Sequence, residues 1–260
     1  MQTGLALANT SLYEERLQRE RLAVVGQTVA TLSHSVKNIL QGLRGGADLV
    51  ELGLRKQSIK LINSGWEIVA RNLDRIYELT MNMLAFSKQR KAEREMVNLP
   101  KLLEEIASLV QKQYDVKKVA LLMDFAEDMP PVPLDSAGIH QAVLNLLSNA
   151  LDAVEPETGA VVLSCSYDAA TQNVRIGVTD NGIGIPSETM EQLFEPFHST
   201  KGLRGTGLGL AVTKKLIEEH GGDIDIDTGP RQGTAITLTI PCNSEAVEVS
   251  GDTLDPGAAI

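Results

Sequence analysis

The sequence predicts an α+β protein in which an N-terminal helical hairpin precedes an α/β sandwich. Three observations support this fold class. Two heptad-spaced apolar seams run between residues 25 and 83, five short apolar or alternating stretches follow residue 97, and helical segments separate those stretches. Some neighbouring strands are connected as in a hairpin and others are connected through a helix. We therefore expect a mixed sheet with helices on one face.

The hairpin is predicted from apolar residues at alternating spacings of four and three. In the first helix they are Val25, Val29, Leu32, Val36, Ile39, Leu43 and Val50, with Gly46 in the one gap. After a predicted turn around Gly53, the second helix carries Ile59, Ile62, Trp66, Val69, Leu73, Ile76, Thr80 and Met83. Each seam is a narrow stripe that a second hairpin would cover in a four-helix bundle. The sequence therefore predicts a homodimer.

Period and composition divide the chain into four predicted segments. A charge-rich signalling coiled-coil helix occupies residues 1–24, and the hairpin occupies residues 25–96. The sandwich follows in residues 97–242. It begins with the amphipathic segment LPKLLEEIASLVQK and includes helical segments at 136–154 and 207–220. Residues 243–260 are acidic and small, which predicts a disordered tail.

Composition excludes several classes of function. The formal net charge of −10 and the lack of a basic run argue against a nucleic-acid-binding surface. No stretch approaches the ~18 to 20 apolar residues of a membrane span, and the start lacks the features of a signal peptide. We therefore expect a soluble, cytoplasmic chain without a membrane segment. Cys165 and Cys242 are far apart and are expected to be free thiols.

One histidine on the first helix is a candidate nucleophile. The heptad assignment puts His34 at position f, which points away from the seam, and Asn38 follows four residues later on nearly the same face. Imidazole is found on protein surfaces as often as in chemistry, so the position alone does not decide between these roles.

A pair of asparagines marks the helix IHQAVLNLLSNALDAV. Asn145 and Asn149 share a face because they are four residues apart. A carboxamide oxygen can bind Mg²⁺ without adding charge, while waters and phosphates complete the octahedron. Two buried amides that satisfy each other are the alternative interpretation.

Two glycine-containing turns are candidates for binding a nucleotide. Asp180 ends the predicted strand NVRIGVTD, and its acceptor-only carboxylate can select an exocyclic amine such as adenine N6. Gly182 and Gly184 permit close backbone approach in the following turn. The segment Gly205-Thr206-Gly207-Leu208-Gly209 opens a helix whose amide groups favour phosphate, although it could equally be a simple helix-start turn.

Four motifs in order, the asparagine helix, DNGIGIP, FEPFHSTK and GTGLGL, resemble the ATP-binding domain of sensor histidine kinases over residues 97–242. This Bergerat-type domain defines the superfamily of gyrase, Hsp90, histidine kinases and MutL (GHKL). Upstream, LAVVGQTVATLSHSVKNILQGL resembles the phosphoacceptor helix of these kinases, and the opening residues resemble the last helix of a GAF sensor domain. The resemblance implies autophosphorylation of His34 with ATP and Mg²⁺, followed by transfer to an aspartate on the receiver domain of a response regulator.

The resemblance also implies roles for the remaining motif residues. Asn149 would hold Mg²⁺, Asn145 would assist at the phosphates, and Asp180 would bind the adenine amino group. Residues 194–204 would form a mobile ATP lid. The other nucleotide-binding residues that it implies are Gly182, Gly184, Lys201, Gly205, Thr206, Gly207, Leu208, Gly209 and Thr234.

The chain departs from the family pattern at one position. Typical members carry Glu or Asp directly after the phosphorylated histidine, and this sequence has Ser35. Losing a positioned acid–base group commonly costs ~10²- to 10⁴-fold in rate. Asn38 matches the family position that orients water for dephosphorylation of the partner. An ATP-binding scaffold or a response-regulator phosphatase is therefore an alternative function. An ATP-driven clamp of the gyrase, Hsp90 or MutL kind is a second one, which the upstream hairpin disfavours.

Overall fold

The computed structural model describes residues 33, 36–87, 92–196, 198 and 207–242. Two compact units divide the chain: one contains the helices up to Ser87 together with segment 192–211, and the other contains the remainder. Several predicted features lie outside the described residues: the helix of 1–24, the tail of 243–260, the pair His34 and Ser35, and Lys201, Gly205 and Thr206.

A helical hairpin forms the first unit, as the seams predict. Helix α1 covers residues 36–55 and helix α2 covers Ile59–Ser87. The turn lies later than the sequence predicted, because Gly53 belongs to the last turn of α1 and Gln57 adopts the positive φ of 50°. Gly53 is required for a different reason: a Cβ there would lie 2.8 Å from the backbone nitrogen of Ile62.

The helices of the hairpin are in backbone contact at Gly46 and Gly65. A Cβ at Gly46 would lie 2.9 Å from the carbonyl oxygen of Gly65, and a Cβ at Gly65 would lie 2.7 Å from the carbonyl oxygen of Gly46. The gap that Gly46 leaves in the heptad seam is therefore filled by the backbone of α2. One turn earlier in α1, the side chain of Asn72 packs over Gly42 in the same way.

The buried residues of α2 differ from the predicted second seam. Gly65, Asn72 and Leu79 are buried at heptad spacing, and none of them is a predicted seam residue. Of the seam residues, Ile62, Val69 and Ile76 are half-buried, whereas three others are exposed: Ile59 at 73%, Trp66 at 62% and Leu73 at 50%. A single hairpin therefore leaves an apolar stripe in contact with solvent.

The second unit contains a five-stranded mixed sheet and a two-stranded sheet. Its elements are β1 Glu95–Val97, α3 Leu99–Lys117, β2 Ala120–Phe125, β3 Val132–Leu134, α4 Ser136–Ala153, β4 Ala160–Asp168, β5 Asn173–Asp180, α5 Ser187–Met190, α6 Gly209–Glu219 (which begins in the first unit), β6 Asp223–Thr228 and β7 Thr234–Pro241. The larger sheet has the order β2-β4-β5-β7-β6, in which β2 and β4 are parallel and the other pairs are antiparallel. The prediction of a mixed sheet is confirmed.

One face of the large sheet is buried and the other is largely polar. Strand β5 alternates between buried residues (Val174, Ile176, Val178 and Asp180) and exposed or half-buried ones. The antiparallel register aligns this buried set with alternate residues of β4 and β7, so that the core face is continuous across three strands. Helix α3 packs on β2, and α4 packs on β4 and β5. Helices therefore cover one face, as expected.

Side-chain caps and one buried tyrosine hold α3 and α4. Asn98 and Asp135 are the N-caps, and their side chains accept hydrogen bonds from Lys101 N and Gly138 N, each at 3.1 Å. The hydroxyl of the fully buried Tyr114 donates to the carbonyl oxygen of Leu147 at 2.8 Å, and burial raises its pKa. Helix α3 continues to Lys117, beyond Lys112, where the predicted amphipathic segment ends. The sequence analysis did not predict the short strands β1 and β3.

Both cysteines are buried free thiols, as expected, and burial raises the pKa of Cys165 to about 11. Among the helices that the structure describes, none is long and apolar enough to cross a bilayer.

Two neighbouring glycines of α1 provide a matched test of the hairpin contact. A Cβ at Gly45 meets nothing within 4 Å, so Gly45→Ala should stabilise the helix by about 0.5–1 kcal/mol. Gly46→Ala should instead destabilise the hairpin by about 1–3 kcal/mol, because the added carbon overlaps the backbone of α2. Denaturant unfolding followed by the fluorescence of Trp66, the chain's single tryptophan, measures both variants. Equal stabilisation by the two substitutions would contradict the close contact.

Candidate functional site

Asp180 lies at the end of β5 with its side chain on the buried face of the sheet. Only 8% of the residue is exposed, and its Oδ1 accepts a hydrogen bond from Gly182 N at 2.8 Å. Burial raises the pKa of Asp180, and hydrogen bonds from the backbone of Gly182 and Thr234 oppose that shift. A buried carboxylate whose oxygens only accept hydrogen bonds is suited to a ligand that donates one.

The turn after Asp180 is built from close backbone contacts. A Cβ at Gly182 would collide with the carbonyl of Ala153, the last residue of α4. Gly184 has a φ of 71°, and a Cβ there would collide with the carbonyl oxygen of Gly229. The two glycines that the sequence singled out therefore let the strand end, the end of α4 and the β6–β7 loop meet at one point.

Asn181 fixes the turn from the other side. Its Oδ1 accepts a hydrogen bond from Ala160 N at 2.8 Å, and its Nδ2 donates to the carbonyl oxygen of Thr158 at 3.1 Å. The carboxamide therefore binds the backbone at the start of β4. The sequence analysis did not assign a role to this residue; its position directly after the end of a strand was the available signal.

Two threonines from the β6–β7 hairpin support the same turn. Thr234 is buried and lies opposite Asp180 in the β5–β7 ladder. The hydroxyl of Thr228 lies 3.1 Å from that of Thr234, accepts from Ile185 N at 3.0 Å and donates to the carbonyl oxygen of Gly233 at 2.9 Å. Thr234 was a predicted site residue, whereas the contribution of Thr228 was missed because it depends on pairing between two strands.

The two predicted asparagines lie one turn apart on α4. Asn145 is buried; its Oδ1 accepts from Gln141 Nε2 at 3.2 Å, and its Nδ2 lies 3.5 Å from the hydroxyl oxygen of Thr213 on α6. Asn149 is half-buried. Gln141 and Thr213 are functional candidates that the sequence reasoning missed; the position of Gln141 four residues before Asn145 was a usable signal.

A backbone hydrogen bond brings the asparagine helix to the Asp180 turn. The carbonyl oxygen of Ala153 accepts from Ile183 N at 3.1 Å. Asn149 precedes Ala153 by four residues, which is about 6 Å along the helix axis. The structure therefore brings Asp180, Gly182, Gly184 and the Asn149 end of α4 into one region.

The described part of the glycine-rich segment agrees with a turn that opens a helix. Gly207 has a φ of 65°, Leu208 is fully buried, and Gly209 begins α6. Of the predicted lid, the described residues are those from Phe194 to Pro196 and His198.

Asn149 is the candidate metal donor on the asparagine helix. Within the described ranges, no three His, Cys, Asp or Glu side chains gather into a metal-binding group. Asn149 offers a neutral hard oxygen, which fits Mg²⁺ when waters and phosphate oxygens supply the other ligands. The residues present therefore fit a metal that enters together with a phosphorylated ligand.

Comparisons with known proteins identify the family. Residues 134–244 match the family described as histidine kinase-, DNA gyrase B-, and HSP90-like ATPase. The chain is 32% identical over 229 residues to the signal transduction histidine-protein kinase AtoS of Escherichia coli K12, covering 88% of this chain and 36% of AtoS. It is 34% identical over 233 residues to the sensory histidine kinase/phosphatase NtrB of Azospirillum brasilense, covering 85% of this chain and 56% of NtrB.

Solved structures extend the comparison. The catalytic domain of the histidine kinase ThkA is 30% identical to this chain. The match covers 58% of this chain and 96% of that domain, with a TM-score of 0.52. The chain belongs to the histidine kinase family. A structure of ThkA in complex with the response regulator protein TrrA is 27% identical to this chain. The match covers 90% of this chain and 66% of that chain, with a TM-score of 0.66.

The resemblance read from the four motifs is therefore confirmed at the level of family and fold. The chain spans 36% of the length of AtoS and 56% of the length of NtrB. The matched ATPase region contains Asn145, Asn149, Asp180 and Thr234, and the elements described above bring these residues to α4 and to the adjoining ends of β5 and β7.

Proposed function

We propose that this chain is the catalytic core of a sensor histidine kinase, which transfers the γ-phosphoryl group of ATP to His34 and then to an aspartate on the receiver domain of a response regulator. The observation that carries the proposal is the buried carboxylate of Asp180, held against the end of the asparagine helix within the region that matches an ATPase family. The ThkA–TrrA complex among the solved relatives supports the choice of partner.

Asp180 recognises the base in this proposal. Its carboxylate accepts a hydrogen bond from the adenine N6 amine, while the carbonyl of guanine would bring a second acceptor against it. Thr234, opposite Asp180 in the ladder, lies beside the base, and Gly182 and Gly184 let the ring approach the backbone. The geometry therefore supports selection of adenine over guanine.

The asparagines and the glycine-rich segment are the residues that we assign to the phosphates. Asn149 holds Mg²⁺ together with waters and phosphate oxygens, and Asn145 assists while Gln141 and Thr213 orient its amide. Bound Mg²⁺ supplies charge neutralisation on the phosphates. We assign the remaining phosphate contacts to Lys201 and to the glycine-rich segment of Gly205, Thr206, Gly207, Leu208 and Gly209, because backbone amides at the start of a helix favour anions.

His34 is the nucleophile. One of its ring nitrogens attacks the γ-phosphorus in line, the bond to the β–γ bridging oxygen breaks, and ADP leaves while the ring proton passes to solvent or a nearby base. Ser35 is a poorer acid–base partner than the usual carboxylate, so we expect slow autophosphorylation. Asn38, one turn later and half-buried, orients water when the regulator is dephosphorylated.

The hairpin acts as a homodimer. The exposed stripe of Ile59, Trp66 and Leu73 supports this proposal, because a second hairpin in a four-helix bundle would remove it from water. We assign residues 1–24 to a signalling coiled-coil helix, 25–96 to the dimerisation and phosphotransfer hairpin, 97–242 to the ATP-binding domain and 243–260 to a disordered tail. A requirement for ATP and two buried free thiols both agree with a cytoplasmic location.

A response-regulator phosphatase or ATP-binding scaffold with weak kinase activity is the second candidate. Ser35 after His34 and the amide of Asn38 favour it, and NtrB is named as both a kinase and a phosphatase. The two functions share the ATP site and differ in whether His34 becomes phosphorylated.

Autophosphorylation tests the proposed function directly. Incubating the purified chain with γ-labelled ATP and Mg²⁺ should give a slow, alkali-stable and acid-labile label that is absent from His34→Gln. Retention of the label in His34→Gln would remove His34 from the reaction. Saturable ATP binding without any label would instead select the phosphatase or scaffold function.

Replacement of the base-recognising carboxylate tests the ATP site. Asp180→Asn should weaken ATP binding by at least about ten-fold, because an amide donor would then face the N6 amine and a charge-assisted hydrogen bond would be lost. Asp124→Asn is the matched control: it removes the same charge from an exposed carboxylate on β2 of the same sheet. Calorimetric titration with Mg-ATP compares the two, and equal affinities would exclude Asp180 from the pocket.

A further inference from the structure

A buried histidine joins the ends of two helices in the second unit. His220, which follows the last residue of α6, is 1% exposed. Its Nε2 accepts a hydrogen bond from Asp135 N at 3.1 Å, so the ring proton is on Nδ1, which lies 2.6 Å from the carbonyl oxygen of Leu216. The ring is therefore neutral, and both nitrogens are engaged.

His220 thereby contacts the cap of the asparagine helix. Asp135 is the N-cap of α4, and its Oδ1 accepts from Gly138 N at 3.1 Å. A Cβ at Gly138 would lie 3.3 Å from both His220 Cε1 and Asp135 Oδ2, so the glycine leaves room for the ring. The end of α6 and the start of α4 are consequently packed into one polar cluster.

The strand that follows the hairpin in the chain is bound to the same cluster. Arg94 Nη2 donates to the carbonyl oxygen of His220 at 2.7 Å. Glu95 Oε1 accepts from the hydroxyl of Ser136, the first residue of α4, at 2.6 Å. Residues Glu95–Val97 form β1, which pairs with β3 directly before Asp135. Residues 94–97 thus contact both helix ends at one place.

This cluster lies at the opposite ends of the helices from the proposed nucleotide contacts. Asn149 is 14 residues after Asp135, about 21 Å along α4, and Gly209 is 11 residues before His220, about 16 Å along α6. An α-helix transmits a displacement of one end to the other because its backbone is stiff over these lengths. A shift at the cluster would therefore tilt both phosphate-binding helices together.

We propose that Arg94, His220 and Asp135 form a clamp that couples the strand following α2 to Mg-ATP binding, with Arg94 as a positioning residue for the nucleotide site. The clamp rests on the proposed ATP-binding function. It gives the chain segment arriving from the hairpin a direct contact with both helices that hold the nucleotide. Because coupling between sites is reciprocal, bound nucleotide must also stabilise β1.

Protonation of His220 would open the clamp, because a protonated Nε2 would face the N–H of Asp135. Burial, followed by the charge of Arg94, lowers the pKa of His220, while the Leu216 carbonyl and the carboxylates of Asp135 and Glu219 raise it. The net lowering means that the unfolded chain takes up the proton first as the pH falls. The stability that the clamp contributes is thus complete above about pH 6.5 and declines below it.

Variants of Arg94 separate coupling from simple structural support. In the 260-residue chain, Arg94→Ala should weaken Mg-ATP binding about ten-fold and abolish the protection from hydrogen exchange that Mg-ATP confers on the amides of 95–97. Arg175→Ala is the matched control, because it removes an exposed arginine from β5 in the same unit. It should leave both quantities at the wild-type value.

Two substitutions of His220 test the ring nitrogens individually. His220→Gln keeps an acceptor near Nε2 without a titrating group, so it should bind Mg-ATP normally at pH 7.5 and lose less affinity than the wild type by pH 5.5. His220→Asn keeps a donor near Nδ1 and loses the contact with Asp135, so it should behave like Arg94→Ala at both pH values. Titration calorimetry at the two pH values measures these differences.

The outcomes distinguish the clamp from the function on which it rests. If Arg94→Ala lowers the melting temperature but leaves the Mg-ATP affinity and the nucleotide-dependent protection of β1 unchanged, the clamp is only structural and the proposal is overturned. If the wild-type chain itself does not bind Mg-ATP, the proposed ATP-binding function fails as well. Normal wild-type binding with an indifferent Arg94→Ala overturns the clamp alone.

Discussion

The close backbone approach at the end of β5 is the constraint on which the rest of the site depends. Gly182 lies against the last carbonyl of α4, Gly184 lies against the carbonyl of Gly229, and a Cβ at Gly233 would collide with the carbonyl of Asp180 itself. Any side chain at these positions would separate the strand end from the helix and from the β6–β7 loop. With them in contact, a carboxylate is held largely out of water beside the helix that carries Asn149, and its acceptor-only chemistry becomes selective because few water molecules compete for it.

Much of this arrangement could be predicted from sequence because it depends on local patterns. The alternating stretch NVRIGVTD predicted the strand that ends at Asp180, and the spacing of Asn145 and Asn149 predicted their common face on α4. Heptad spacing gave the two helices of the hairpin. It could not give the position of the turn, because Gly53 is needed for contact with Ile62 and not for its own backbone conformation. The sequence alone does not show whether a glycine is needed for close packing or for its backbone conformation.

The contacts that the sequence missed join residues far apart in the chain. His220 meets Asp135 across 85 positions and Arg94 across 126, and Asn145 meets Thr213 across 68. The short strands β1 and β3 exist because they pair with each other, since three residues that include Pro133 carry no periodic signal. These are also the contacts that connect the elements of the site, so function in this fold depends on pairings that local sequence patterns do not encode. Phosphoryl transfer relies mainly on positioning and charge neutralisation, which makes such connections as important as the residues that touch the nucleotide.

We propose that the carboxylate of Asp180, at the end of β5, selects adenine in the nucleotide that this chain binds. Calorimetric titration of the purified chain with Mg-ATP and with Mg-GTP under the same conditions tests it most directly. A site built to accept a hydrogen bond from the N6 amine should bind Mg-ATP and bind Mg-GTP at least about 100-fold more weakly, because the guanine carbonyl leaves the buried carboxylate without a donor. Equal affinity for the two nucleotides, or no binding of Mg-ATP, would contradict the assignment of Asp180 and the function built on it.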